Sequence, residues 1–532
     1  EAATGIALYL LYRHLSVDRN SYERTARWTR LAPHLLAVTT DVPSDPESRA
    51  LAADLLGDAS VFLGRSGRNR DALSASARSL NLQEELATAD RDKHLPGLTA
   101  AIINHAAGLH TAGRVIDAGE KLRQAVDFSR ELVARDREQH LPKLALAVYD
   151  YAVHLASIGD RDGSYAASHE AVSLFRELVA RNPTEFRSQL AKVLSHHAAK
   201  LIDHGHHDEA LALSDEAVAA AREIADDINA GEPDLLPATL TVHALHLSAA
   251  GRTADALAAS AEAVTRYREL AHAYRDAHLA GLAVAVGHHV VHLADTGRTA
   301  DALMLSEEAV ALARDLVTKD RDAHLLTLAQ AVFNHALRLS AVGQHDEEIT
   351  YSDEAVRLYR ELATINPSGW LNQFAETLSR HGARLADAGR HRDALNAFDE
   401  AAAIWRQLAD RNRRTHLPRL AASALNRTKA LMMADRHVDA LTASAEAVTL
   451  HRELLEADPE ADLAGLAYAL WSFASTRQKA GVELEPALAA AREAIAHFDQ
   501  LAQETDRYDD MIDAAVDLVW DLSERLGVEI EL

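Results

Sequence analysis

The 532-residue sequence predicts an all-α fold, an α-solenoid superhelix of stacked antiparallel helix pairs with about 23 helices. Three observations carry that prediction. The first is an internal repeat. The segments SGRNRDAL, AGRVIDAG, IGDRDGSY, HGHHDEAL, AGRTADAL, TGRTADAL, VGQHDEEI, AGRHRDAL, ADRHVDAL and AGVELEPAL recur, and their marker positions (Gly67, Gly113, Gly159, Gly205, Gly251, Gly297, Gly343, Gly389, Asp435, Gly481) are all 46 residues apart. The second is helical spacing of apolar residues on both sides of each marker. The third is composition. With 48% hydrophobic residues but only 5% aromatics, the chain suits many small helix–helix contacts better than one large core. A length prior of roughly 150 residues per domain would give three or four globules; the repeat replaces them with one elongated stack, because a single amphipathic pair cannot bury its own apolar face.

The elements follow in chain order. Residues 1–46 read as an atypical helix pair and linker: counting back 46 from Gly67 reaches Ser21, Ala26 keeps the register, Pro33 breaks it, and DVPSDP at 41–46 joins to the regular units. Residues 47–505 hold ten helix-pair repeats of about 46 residues. In each, a first helix such as LALAVYDYAVHLASIG stops at the marker, where Gly suits a left-handed closing residue. Thr253 and Thr299 are expected N-caps of the second helix, with Asp255 and Asp301 in its first turn, where the helix dipole favours a carboxylate. The joints RDKHLPGL, REQHLPKL and RRTHLPRL are polar, and Pro96, Pro142 and Pro418 are placed in a first turn. The last unit has one extra residue before Ala487 and Leu488, and 506–532 supply a lone capping helix ending at Gly527.

Fixed columns explain the stacking. Ala72, Ala118, Ala210, Ala256, Ala302, Ala394 and Ala440 lie five past their markers, and Ala125, Ala171, Ala217, Ala263, Ala309, Ala355, Ala401 and Ala447 lie twelve past. Leu109, Leu155, Leu201, Leu247, Leu293, Leu339, Leu385 and Leu431 stand four before. Seven before stand Ala106, Ala152, Ala198, Ala244, Ala336 and Gly382, interrupted by Val290. Small residues at fixed places let helices approach closely, and the leucines fill the gaps between them.

This combination of a small residue, Leu, turn Gly and two Ala columns resembles the tetratricopeptide repeat (TPR) family over nearly the whole chain. The period departs from that family's unit of about 34 residues; the surplus lengthens each helix by roughly 9 Å. The pattern GR-x-x-DAL…EAV-x-L-x-REL is similar to long repeats of actinobacterial multidomain signalling proteins.

Several function classes lose support. No Cys is present, which removes disulfides, thiolate metal sites and a cysteine nucleophile. Fifty-five Lys and Arg against 80 Asp and Glu leave a net charge of −25, so nucleic acid and anionic membrane are poor partners. The apolar stretch Ile6–Tyr12 is too short to span a bilayer, and a soluble, cytoplasmic protein is expected. No phosphate-binding loop, dinucleotide turn, zinc-protease pair or nucleophile elbow occurs. The chain is therefore read as non-enzymatic, without catalytic residues, bound metal or cofactor.

Histidine is the oddity, 29 in all, with six in the column eight before the marker: His105, His197, His243, His289, His335 and His381. One reading is an imidazole packed within the stack. The other is a pH-sensitive ladder, since free imidazole titrates near pH 6.5. His288 and His292, one turn apart, and the crowded His204, His206 and His207 fall short of the three or four converging ligands a metal needs.

In the family the chain resembles, the first helix of each pair lines a concave groove that holds partner peptides. By register, that resemblance assigns to the groove the column nine before the marker, Asn104, Asp150, His196, Val242, His288, Asn334, Arg380 and Asn426, which varies between units. The column two before it adds Asp203, Asp295 and Asp387. Groove acidity and the net charge favour a basic or amphipathic partner protein or peptide; self-association is left open. The expectation is a non-enzymatic interaction scaffold. The alternative is the sensor arm of a larger signalling or defence protein, a nucleotide-switching ATPase or protease whose effector lies elsewhere. The start at Glu1 without methionine points toward that alternative.

Overall fold

The computed structural model describes residues 2–15, 22–65, 68–112, 114–225, 232–457, 462–503 and 506–529. Ser21, Gly67, Gly113 and the side chain of Ala26 lie outside the described residues. Among the described residues there are 23 α-helices, one short 3-10 turn and no strand. They run as α1 (Ala2–Leu15) and α2 (Tyr22–Val38), α3 (Pro46–Arg65) and α4 (Asn69–Ala89), α5 (Arg91–Thr111) and α6 (Val115–Arg135), α7 (Arg137–Ser157) and α8 (Arg161–Arg181). Next come α9 (Pro183–Asp203) and α10 (His207–Ala225), α11 (Leu235–Ala249) and α12 (Thr253–Ala273), α13 (Arg275–Asp295) and α14 (Thr299–Lys319), α15 (Arg321–Ala341) and α16 (His345–Ile365). The series closes with α17 (Pro367–Asp387) and α18 (His391–Arg411), α19 (Arg413–Met433) and α20 (His437–Ala457), α21 (Leu463–Ala480) and α22 (Leu484–Ala502), and the single α23 (Asp509–Leu526). This is a TPR-like array of helix pairs. By packing, the chain groups into two compact units, Glu1–Ala323 and His324–Leu532, divided near the start of α15.

The 46-residue period has a direct structural account. Helix α13 has 21 residues, Thr296–Arg298 form a three-residue turn, α14 has another 21, and Asp320 alone joins to α15. The polar joint expected around Pro96, Pro142 and Pro418 is instead helical. Seven joints between repeats are a single residue, such as the extended Asp90 or Asp136, whose carboxylate accepts from the backbone N–H of Lys93 or Gln139. Capping so early starts the helix five residues before each proline, which falls in the second turn rather than the first.

The turn at each described marker is a Schellman motif. The Arg252 N–H donates to Leu247 O and the Gly251 N–H to Ser248 O, both at 2.9 Å, and Gly251 has φ +75°. Asp435, standing in for glycine, also adopts positive φ. Thr253 and Thr299 are first helical residues and not caps; Arg252 and Arg298 occupy the cap positions and make no side-chain cap bond. Their guanidiniums instead reach Asp255 and Asp301 three residues on, at 2.7 and 2.8 Å. The repeated GR-x-x-D thus encodes an ion pair across the first turn.

Packing follows the columns. Both alanine columns and the leucines four before the marker are buried, and Val290 is accommodated fully buried. In the first unit α1 to α4 share a core built on Leu8, Trp28, Leu35 and Leu55. One helix, α13, has the length and mean hydropathy of a membrane span, 1.3 over 18 residues, but half of that window is buried inside the protein.

Candidate functional site

Within each unit the first helices of successive pairs touch: α3 with α5, α9 with α11 and α11 with α13 in one, α17 with α19 and α19 with α21 in the other. The second helices are spanned instead by long ion pairs, including Arg176–Glu216, Arg222–Glu262 and Arg268–Glu308 in the first unit and Arg360–Glu400 and Arg406–Glu446 in the second. These pairs join the arginine at the REL position of one repeat to the glutamate at the EAV position of the next, and being exposed they contribute little individually. Their repetition marks the second-helix side as structural. The first-helix side is where the repeats differ.

The column nine before the marker lies on these first helices. Asn104 lines two cavities of about 390 and 240 Å³, the larger shared with Asp54 and Asp58. His196 and Val242 line one of about 620 Å³ with Tyr149, Glu232 and Asp234. In the second unit Arg380 and Asn426 line one of about 550 Å³. Asp150, His288 and Asn334 are half-buried and line none of these four cavities. Asp203, Asp295 and Asp387 are exposed and also stand outside them. Lys200 lies 2.8 Å from Asp203 and Arg384 3.2 Å from Asp387, so cations on their own helices offset two of those three charges.

Burial controls the titration of this face. Asp150 is pushed up to about 6 by desolvation, and His196 down to about 4 by the same cause. A carboxyl raised from an unfolded value near 3.9 to about 6 keeps its proton in the fold where the unfolded chain has lost it, so the penalty is absent at low pH, builds between about pH 4 and 6 and is complete above. Asp150→Asn is therefore expected to raise stability by about 2 kcal/mol above pH 7 and to leave it nearly unchanged near pH 4. Thermal melts at the two pH values check this; no gain at the higher pH contradicts it.

The histidine column is part of the stack. The Nδ1 atoms of His197, His243 and His289 lie 2.8 Å from the Oγ atoms of Ser168, Ser214 and Ser260, and the Ser352–His381 and Ser76–His105 pairs measure 2.7 and 3.1 Å. Each pair joins a second helix to the first helix of the next repeat. Where the serine is replaced by Leu122 or Phe398, the histidine is replaced too, by Tyr151 or Arg427. Burial pushes His197 and His289 down to about 4 and also lowers His105, His243 and His381. His197 and His289 are therefore neutral near pH 6, and all five imidazoles are displaced away from the charged form that a switch at that pH requires. Among the described residues no three His, Asp or Glu converge for a metal. His204 is engaged by the Lys200 carbonyl at 2.8 Å and Asp162 at 3.1 Å.

Three features escaped the sequence reading. The column five before the marker runs His154, Lys200, His246, His292, Arg338, Arg384, a basic series of half-buried or buried residues. Leu146, Val153, Leu245 and Val284 expose apolar side chains on the first helices of the first unit, at thirteen or six before their markers. The spacing of thirteen, nine, six and two makes one helical stripe, and that register was the available signal. Finally, Glu348 occupies a core alanine position, five past Gly343, and is buried.

No family model and no curated relative matches the chain. Solved structures do. The chain is similar to a Rap protein complexed with competence and sporulation factor at 14% identity and TM-score 0.45, covering 77% of this chain and 98% of that one. It is similar to the apo form of RapI at 12% identity and TM-score 0.46, with the same coverage of each chain. A third likeness is to PH0952 of Pyrococcus horikoshii, a signal transduction ATPase with a tetratricopeptide repeat sensor, at 11% identity and TM-score 0.44, covering 72% of this chain and 53% of that one. At these identities and scores nothing is carried over to this chain beyond the repeated helix pair.

Proposed function

We propose that this protein is a non-enzymatic interaction scaffold that takes a protein or peptide partner along the face of its first helices. The observation that supports this most is the coincidence of sequence divergence with cavities: Asn104, His196, Val242, Arg380 and Asn426, all from the varying column, line the openings between neighbouring first helices. The repeated columns, in contrast, are buried core or second-helix ion pairs.

In the first unit the face suits a basic, amphipathic segment. Asp54, Asp58, Glu232 and Asp234 line its cavities, and Leu146, Val153, Leu245 and Val284 expose apolar side chains on its first helices. Apolar anchors supply affinity and the carboxylates supply orientation and on-rate. Capture from native lysate tests the proposal. The unchanged chain is expected to retain partners that a bait carrying Leu146→Ser, His196→Ala and Leu245→Ser loses; equal recovery by both baits, each shown to be folded by circular dichroism, rejects it.

A further inference from the structure

We infer that the second unit carries a separate recognition site for carboxylates, which binds an acidic segment of a partner protein. This rests on the reading of the first-helix face as a partner surface and reverses, for this cavity, the charge expected of the partner.

The site is the cavity of about 550 Å³ formed around α15, α17 and α19. Four arginines line it, Arg338 from α15, Arg380 and Arg384 one turn apart on α17, and Arg419 from α19, against two glutamates, Glu348 and Glu376. The glutamates do not use up the guanidiniums. Glu376 is shared, its Oε1 lying 3.0 Å from Arg380 and its Oε2 3.2 Å from Arg419. Glu348 lies 3.4 Å from Arg384. A guanidinium presents five N–H donors in a planar fork matched to a carboxylate, so Arg380 and Arg419 hold donors beyond those that one shared carboxylate can accept. The same wall carries Ser423, 2% exposed, whose hydroxyl has no partner. A buried polar group without a partner is costly unless something supplies one.

The repeat itself singles out this place. Glu348 replaces a core alanine, Arg384 and Arg338 fill the column occupied by His or Lys in the four preceding repeats, and Arg380 replaces a neutral or acidic residue found in the other units of its column. The lining holds four Arg against two Glu, a local positive excess in a chain of net charge −25. Screening over about 8 Å at physiological salt keeps the remote carboxylates from cancelling this local excess. Buried Glu348 holds Arg384 in place, and shared Glu376 holds Arg380 and Arg419; a ligand carboxylate completes the donors of Arg380 and Arg419 and reaches the Ser423 hydroxyl.

The experiment is fluorescence anisotropy of the full chain with three labelled peptides of one Ala-rich frame, carrying Glu, Gln or Lys at the same alternating positions. The Glu peptide is expected to bind at least about tenfold more tightly than the Gln and Lys peptides, with affinity falling as salt rises. Arg380→Gln with Arg419→Gln, both at exposed side chains, is expected to remove that preference while the melting temperature stays within a few degrees. Arg419→Glu is expected to lower Glu-peptide affinity further and raise that of the Lys peptide. Inorganic phosphate at equal ionic strength is expected to compete no better than chloride; selective competition by phosphate overturns the assignment to carboxylates. Equal binding of the Glu and Lys peptides, or a Glu preference untouched by the arginine variants, overturns the site. Absence of a Glu preference in the unchanged chain, with lysate capture through the first unit retained, removes this inference alone and leaves the scaffold reading standing.

Discussion

Acidification from about pH 7 to about 4.5 is expected to lower the melting temperature steeply, and the buried imidazoles are the cause. His196, His197, His246 and His289 are each pushed down to about 4 by burial. An unfolded chain binds their protons near pH 6.5 and the folded chain does not until near 4, so between those values the unfolded state holds more protons. Stability from these groups is present above about 6.5 and is lost as pH falls toward 4. At about 1.4 kcal/mol per pKa unit, the set amounts to a loss of several kcal/mol. Asp150, raised to about 6, works in the opposite sense and is outnumbered. Melts followed by far-ultraviolet circular dichroism between about pH 7.5 and 4.5 measure the slope. His197→Leu with His289→Leu should flatten it, because Ser168 and Ser260 keep the bonds their hydroxyls donate to Tyr165 O and Leu257 O. A melting temperature independent of pH, or unaltered dependence in the double variant, contradicts the account.

A second large effect is expected from one methyl group. Gly382 stands where most other repeats carry small residues, and a Cβ there would lie 2.9–3.2 Å from ring carbons of Phe398. Phe398 fills a position that is serine in most repeats and is itself buried. The two departures are one adjustment: glycine makes room for the ring. Gly382→Ala is expected to cost about 2–3 kcal/mol by overpacking, and Phe398→Ser about 3 kcal/mol by leaving a cavity. The double variant should be less destabilised than the two costs added, by at least about 1 kcal/mol, because each removes the other's conflict. Additive costs in urea unfolding count against the pairing.

These cases show what a single sequence makes legible. The fold was readable because each repeat states the same physical requirement: glycine for a left-handed turn, alanine for close approach and leucine for filling. The joints were misjudged because RDKHLP and its equivalents look like loop; only an Asp or Asn capping a helix one residue after the previous one ends makes that segment helical. The role of the histidines depended on a partner 29 residues away in the preceding repeat, and the replacement of Ser–His by Leu122–Tyr151 and Phe398–Arg427 was the visible trace of it. The candidate face was legible only as a register. Which column members line the described cavities depends on neighbouring helices: Asn104 and Asn426 do, while Asn334, at the same register, lines none of the four. The arginine cavity was masked by averaging, since a net charge of −25 hides the four arginines that line it.

The central claim is that the partner lies on the first helices, and site-specific photocrosslinking tests it most directly. A photoreactive phenylalanine analogue placed at Leu245 or at Asn426, on first helices, is compared with one at Met304, exposed on the second helix α14. Crosslinked partner bands from the first two positions and none from Met304 are the predicted result. Bands of equal strength from Met304, or from Met304 alone, would contradict the placement of the partner on the first-helix face.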